Sequence, residues 1–329
     1  PRSTPSRAGT PCAPRLPPAE GSPRMLVREL AQQLRARRFA AGALDLEISE
    51  VSLRLDAHGE MSAIELRPYD QSHQMIEECM VSANEAVAKE LWTRGVRIPA
   101  RLHEPPEEEK LLTLRSELRG LGVKMGDITK PKVFASFLKS IKSHPLYPTI
   151  AMLVLRSMKK AVYDSRSIGH FGLAKKYYAH FTSPIRRFPD MMVHRLLARY
   201  LAGGRTAMQA KYEDLCDHSS EMEQIAANAE RASIKYKQVE FMGDRLGQEF
   251  EGTISGVTEW GLYVEINENK CEGMIPMREL DDDFYDFDEK SYCLTGRRYH
   301  KKYSLGDPIR IKVARANLER KQLDFALVE

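Results

Sequence analysis

Cysteine is scarce in this chain and forms no pattern. The five cysteines (Cys12, Cys79, Cys216, Cys271 and Cys293) are odd in number and widely scattered, with no C-x-x-C pair and no histidine at zinc spacing. This argues against a disulfide or zinc framework and for a reducing compartment. Long hydrophobic runs are also missing, since the longest, Thr149–Leu155, falls far short of the roughly 20 residues that span a bilayer. No secretory h-region is visible near the start, so the expectation is a cytoplasmic protein with no membrane partner. A large excess of one charge is absent too: 50 Lys and Arg against 46 Asp and Glu leave a net +4. Any affinity for nucleic acid must therefore come from a local patch and not from the field of the whole molecule.

Acidic residues are nearly absent at the start. Pro1–Arg24 holds seven of the 18 prolines, no Asp and one acid, Glu20, with no apolar period. Residues 1–24 are expected to be disordered, with order beginning near Met25. No internal repeat is visible. What remains is 42% hydrophobic over 329 residues, enough for two cores.

Leu26–Arg38 reads as a basic amphipathic helix. Leu44, Leu46, Ile48, Val51, Leu53 and Leu55 then alternate at strand period, and a turn at 57–60 followed by Ile64 and Leu66 completes a hairpin. Gln71–Trp92 is a strong helix with a broad apolar face. The acidic turn Glu107–Glu109 opens another, and helical patterns continue from Phe134 to Val162. Ser183-Pro184 suits a helix N-cap and first turn, with Pro189 kinking or restarting the helix and Gly203-Gly204 ending it. Tyr212–Gly243 is a long polar helix. From Gly252 onward the pattern changes to five short strands in about 80 residues, which fits a small barrel of the OB type.

The local patch is in the middle of the chain. From Arg156 to Arg187 eight Lys or Arg face one acid, Asp164, and are interleaved with Tyr177, Tyr178, His180 and Phe181. It ends in Tyr178-Ala179-His180-Phe181-Thr182-Ser183-Pro184-Ile185-Arg186-Arg187-Phe188-Pro189-Asp190. Paired arginines just after a Ser-Pro step and ahead of an apolar helix suit a phosphodiester held at a helix entrance.

Three motifs in order, Ile76-Glu77-Glu78-Cys79-Met80 with Ala83-Asn84-Glu85-Ala86, His170-Phe171-Gly172-Leu173, and His180 through Arg187, resemble the catalytic domain of the ribonuclease R and ribonuclease II family. Gly252-Thr253-Ile254, Trp260-Gly261-Leu262-Tyr263-Val264 and Glu272-Gly273-Met274-Ile275 resemble the ribosomal S-one type of RNA-binding OB domain. The resemblance implies an α+β chain: part of an RNB-type catalytic domain over residues 25–247, helices packed on β-strands, then a five-stranded OB barrel over 248–329. It also implies processive 3′ to 5′ hydrolysis of single-stranded RNA to nucleoside 5′-monophosphates, with magnesium as cofactor.

Carried over residue by residue, the resemblance makes Arg186 the catalytic arginine, a guanidinium able to fork onto two phosphoryl oxygens. Without its flanks Arg186 would fit better a surface arginine paired, for instance, with Asp190. One of Glu77 and Glu78 resembles the glutamate that contacts the terminal nucleotide, although either alone also fits a solvated helix-face carboxylate. Arg187 and Tyr178 are expected on the RNA-binding surface, and Glu230 resembles a further substrate-side carboxylate. In the barrel, Trp260 and Tyr263 stand at strand positions where bases stack, one of the two rings being expected in the barrel core; Arg315 and Arg320 would track the backbone. Pro276 stands where many such barrels carry a histidine.

The family's metal-holding aspartate cluster precedes the segment that Leu26–Arg38 resembles, and Pro1–Arg24 offers no aspartate. The Asp281–Asp288 run falls in the barrel and is not expected to replace it, so no metal ligand is assigned. Two readings follow: an N-terminally incomplete exoribonuclease with weak or absent activity alone, or a noncatalytic single-stranded RNA-binding protein.

Overall fold

The computed structural model describes residues 23–46, 51–59, 61–67, 69–204, 211–288 and 292–328. The expectation for residues 1–22 and the strand position of Ile48 lie outside these. Helix α1 (Pro23–Ala40) starts with a proline in its first turn, where no N–H is needed, so Pro23 and Arg24 are helical. The hairpin β1 (Val51–Leu55) and β2 (Met61–Leu66) follows, and then α2 (Gln71–Thr93), capped by Asp70, whose carboxylate accepts from the backbone N–H of Ser72 and His73 at 2.8 and 3.1 Å. Leu44 and Leu46 are not strand residues: they pack against the helical layer instead, and the Leu44 N–H donates to Gly172 O.

Strand β3 (Ala100–Leu102) leads to three helices, α3 (Glu108–Gly120), α4 (Pro131–Ile141) and α5 (Tyr147–Ser157). Their apolar faces close one core around Leu114, Leu118, Phe134, Leu138 and Ile150. The expected helical run to Val162 stops earlier, because Val162 opens β4 (Val162–Asp164), antiparallel to β3. Next come α6 (Phe188–Leu201) and the 33-residue α7 (Lys211–Gly243). Helices α2 and α6 sandwich a second core of Ala88, Leu91, Ile98, Val193 and Leu196 with Ala179. Truncating a fully buried leucine such as Leu91 to alanine would cost about 2–5 kcal/mol.

The last part is a closed five-stranded barrel in the order β11–β12–β7–β6–β5, made of β5 (Glu249–Thr258), β6 (Gly261–Ile266), β7 (Glu272–Pro276), β11 (Pro308–Asn317) and β12 (Gln322–Leu327). The sequence shows these five strands but hides three more, β8 (Tyr285–Asp288), β9 (Cys293–Gly296) and β10 (Lys302–Ser304), which form a separate antiparallel sheet. Gly261 is obligatory at the β5–β6 turn: its φ is +145° and a Cβ there would sit 2.1 Å from Ile275 O. Val239 and Met242 of α7 join the barrel core, so the long helix ties the two parts together.

Candidate functional site

The segment between β4 and α6 is a strap fixed from both sides. Arg101 N–H of β3 donates to Tyr178 O at 2.9 Å. From α2, the buried Asn84 uses its whole amide: Oδ1 accepts from the N–H of Phe181 and Thr182 at 2.9 and 3.2 Å, and Nδ2 donates to the Tyr178 hydroxyl at 3.2 Å. His194 stacks on Phe181 with centroids 4.0 Å apart and shares a 2.8 Å hydrogen bond with its carbonyl. Asn84 lies within the Ala83–Ala86 motif, but nothing in the sequence distinguishes it as the strap's anchor.

The expected start of α6 at Ser183-Pro184 is corrected. Ser183–Arg187 is a turn in which Ser183 O accepts from the N–H of Arg186 and Arg187, and the helix begins at Phe188 with Pro189 in its first turn. Proline at that place needs no donor and does not kink the helix. Asp190, fully buried, reaches back to this turn: Oδ2 accepts from Ser183 N–H and from Arg187 Nη2, both at 2.8 Å. The ion pair with Asp190 that the alternative reading gave to Arg186 belongs to Arg187. Arg187 was expected on the RNA surface; it is largely buried and structural, because an isolated buried carboxylate would require such a partner. Arg186 is left exposed, with no ion pair among the described residues, beside the fully exposed Ile185 and the exposed Phe188. Thr182 Oγ1, Arg187 Nε and Asp190 Oδ1 lie buried behind it without hydrogen-bond partners among the described residues.

An aromatic and imidazole wall joins the strap to β3 and β4. His103, His170, Tyr178, His180 and Tyr163 form successive ring contacts at centroid distances of 4.9, 5.3, 5.8 and 5.6 Å. Tyr178 was expected to meet RNA, yet it is 6% exposed and its ring is a wall component, so it offers no face to a base. Burial holds the imidazoles neutral, pushing His170 down to about 3 and His180 to about 2, with the neighbouring His103 adding to the first and Arg187 and Arg101 to the second. Burial likewise pushes the Tyr163 hydroxyl up to about 12. Arg101 covers the Tyr163 ring at 4.6 Å and forks onto Glu223 of α7 at 2.6 and 3.1 Å, joining the wall to the long helix.

The two adjacent glutamates of α2 part company. Glu78 is 2% exposed and takes the guanidinium of Arg38, itself 5% exposed, through Nε at 3.1 and 3.2 Å and through Nη2, with Arg35 3.7 Å away. Of the two candidates for a nucleotide contact, Glu78 is the one whose oxygens are committed to the α1–α2 joint. Glu77 is 37% exposed, accepts from Arg38 Nη2 at 3.1 Å and from the Tyr69 hydroxyl, and retains an open side. It precedes Asn84 by seven residues, which places it on the same helix stripe about 10 Å from the strap anchor. Glu230 is exposed on α7, seven residues and again about 10 Å beyond Glu223 on one stripe.

In the barrel neither aromatic ring fills the core, contrary to the expectation for one of them. Trp260 is in the β5–β6 turn and not in a strand, and is 69% exposed; Tyr263 is on β6 and 38% exposed. Aliphatic Ile254, Leu262, Val264 and Ile275, with the ring of Phe325, already occupy the interior. Arg315 is exposed on β11 and Arg320 in the turn that follows. Carboxylates of the aspartate run are engaged locally: Asp282 with Tyr285 and Lys301, Asp283 with the backbone N–H of Phe284, Arg298 and Tyr299, and Asp286 with Arg297. Among the described residues no group of three or more His, Cys, Asp or Glu is placed to hold a metal ion, so the described residues offer no such cluster for the magnesium that the resemblance implies. None of the described helices is long and apolar enough to cross a membrane.

The family model for the RNB domain matches residues 17–203. The chain belongs to the RNB family. A model for the S1 RNA binding domain matches residues 244–327 of this RNB chain, covering the barrel. Ribonuclease R of Aquifex aeolicus is 39% identical over 314 residues, 93% of this chain and 44% of that protein. Ribonuclease R of Escherichia coli is 33% identical over 318 residues, 92% of this chain and 39% of that one. The chain therefore spans less than half the length of these relatives. Among solved structures, the apo form of Mycoplasma genitalium RNase R matches with a TM-score of 0.87 at 30% identity, covering 92% of this chain and 49% of that one. Its complex with ribose methylated single-stranded RNA matches at 0.86 and 29%, with the same coverage. The α+β layer followed by an OB barrel is thus that of the RNB and S1 pair.

Proposed function

We propose that this chain is the RNA-gripping and phosphate-handling portion of a ribonuclease R-like 3′ to 5′ exoribonuclease, an enzyme that releases nucleoside 5′-monophosphates. The observation that carries the reading is the division of labour between two adjacent arginines: Asp190 takes Arg187, and Arg186 projects free from a turn fixed by Asn84 and Asp190. A preorganised guanidinium, aimed outward, stabilises the charge that develops on a phosphoryl group during hydrolysis. Glu77, not Glu78, supplies the carboxylate near the terminal nucleotide, with Glu230 as a second one on α7. Trp260 and Tyr263 stack bases, and Arg315 and Arg320 follow the phosphates. The catalytic part extends over residues 25–247 and the barrel over 248–329.

A second reading, a noncatalytic binder of single-stranded RNA, draws on the lack of a metal-holding group among the described residues, because stacking and charge contacts need no metal. Both readings predict RNA affinity, and they separate on hydrolysis. The test is 5′-labelled single-stranded RNA incubated with the chain and with Arg186→Ala, with and without magnesium, read on a denaturing gel beside a native one. A weak magnesium-dependent ladder lost in Arg186→Ala supports the exoribonuclease reading; retention on the native gel with no shortening at all supports the binder.

A further inference from the structure

Between the helical layer and the barrel is a cleft of about 530 Å³ that none of the groups assigned above explains in full. Packing defects in protein interiors are rarely much larger than a water molecule, whereas ligand sites run from roughly 300 to 1,000 Å³. One wall is α3 and α5; the other is the β5–β6 face of the barrel. We propose that this cleft receives an unstacked nucleotide of single-stranded RNA, its base on Tyr263 and its phosphates on Arg156 and Lys110, so that the helical layer and the barrel bind the strand together. The proposal rests on the RNA-binding reading above and extends it to the helical wall.

Tyr263 is built as a platform. It pairs with Gly256 across β5–β6, and a Cβ on that glycine would lie 3.4 Å from Tyr263 Cβ and 3.5 Å from Cδ2, so the ring rests against a strand position that has no side chain. Its other side remains open to the cleft, as base stacking requires.

The polar lining narrows the ligand. Glu117 accepts from the Tyr292 hydroxyl at 2.9 Å and Glu272 from the Ser255 hydroxyl at 2.7 Å. The Thr113, Ser157 and Thr258 hydroxyls donate to backbone carbonyls. These hydrogen bonds leave both carboxylates charged, so the lining holds two anions and two cations; the cations open to a ligand are Arg156, exposed at the end of α5, and Lys110, 3.8 Å from Glu107 in an exposed pair worth little. Two cations at a rim above a partly apolar floor of Leu153 and Val257, with a phenol ring on one wall, suit a phosphate and a base.

The walls cannot close on each other. Leu305 and Tyr292, from the barrel part, pack into the α3–α5 core, and Gly306 lies so near Leu146 that an added Cβ would stand 2.5 Å from its Cδ2. A fixed separation means that the site exists before the ligand arrives.

The experiment measures anisotropy of a fluorescein-labelled oligouridylate titrated with the whole chain and with Arg156→Glu, Thr113→Trp, and Lys139→Glu as a charge control on the exposed face of α4. All three positions are exposed, and thermal unfolding of each variant confirms the fold. Arg156→Glu and the uncharged plug Thr113→Trp are expected to weaken binding by about tenfold at low salt, and Lys139→Glu by less than about twofold. Arg156→Ala should also reduce the slope of log affinity against log salt by about 0.7, the share of one single-strand phosphate contact. If the parent chain binds and Thr113→Trp binds equally well, or if Arg156→Glu weakens no more than Lys139→Glu, RNA does not enter the cleft and the proposal fails while the RNA-binding reading stands. If the parent chain does not bind, both fail.

Discussion

Arg187 Nη2 lies 2.8 Å from Oδ2 of Asp190, a carboxylate with no solvent exposure, and this pair sets the direction of the neighbouring Arg186. Removing one member of a buried pair strands the other's charge, at a cost of about 3–5 kcal/mol. Asp190→Asn is therefore expected to lower stability by that order in urea unfolding, whereas Arg186→Ala, at an exposed position, should remain within about 0.5 kcal/mol of the parent. Equal losses in the two variants would contradict the assignment of Arg187 as the anchor and Arg186 as the free group.

A parallel contrast divides the two glutamates of α2. Glu78→Ala leaves Arg38 buried without its main partner and should destabilise by about 3 kcal/mol or more. Glu77→Ala removes a half-exposed contact and should cost about 1 kcal/mol or less, while weakening the hold on an RNA 3′ end. Thermal melts together with competition between RNAs of different 3′ ends check both.

The imidazole wall makes stability pH-dependent in a defined direction. His170 and His180 titrate near 3 and 2 in the folded chain but near 6.5 when unfolded, so below 6.5 the unfolded state binds more protons. The contribution is intact above pH 6.5 and is lost as pH falls toward 3, at up to about 1.4 kcal/mol per pH unit for each histidine. Urea midpoints measured at pH 7, 6 and 5 should fall progressively, and His170→Phe should flatten the dependence. A midpoint unchanged across this range would show that the histidines are not held neutral.

In the barrel, Trp260→Ala and Tyr263→Ala should each weaken single-stranded RNA binding by about 1–3 kcal/mol. Neither ring is in the core, so the unfolding midpoint should hardly move. A large stability loss with unchanged RNA affinity would reassign the rings to packing.

Much of this was legible in the residues. The apolar period of α2, the glycine break after α6 and the alternation in β5, β6, β11 and β12 produced the right elements because local pattern and burial agree there. What failed was local signal overridden by tertiary partners. Ser183-Pro184 looks like a helix start, but Asp190 pulls the Ser183 N–H into a turn and delays the helix to Phe188. Arg187 and Tyr178 look like surface groups in a basic, aromatic run, yet both are drawn inward by residues distant in sequence or on the next turn, Asn84 and Asp190. Glu77 and Glu78 are indistinguishable without knowing that Arg38 lies over one of them. Strands β8–β10 were hidden because an acidic run reads as a loop until Lys301 and Arg297 neutralise it.

The most direct test of the central claim, that Arg186 is a free guanidinium held ready for a phosphodiester on a chain that grips RNA, is an RNA titration of the parent chain and Arg186→Ala run beside the gel assay with magnesium. The account predicts that the parent binds single-stranded RNA, that Arg186→Ala binds more weakly with unchanged stability, and that neither shortens the RNA appreciably. Equal binding by the two proteins would contradict the role of Arg186, and a vigorous magnesium-dependent 3′ shortening ladder would contradict the account of the metal site.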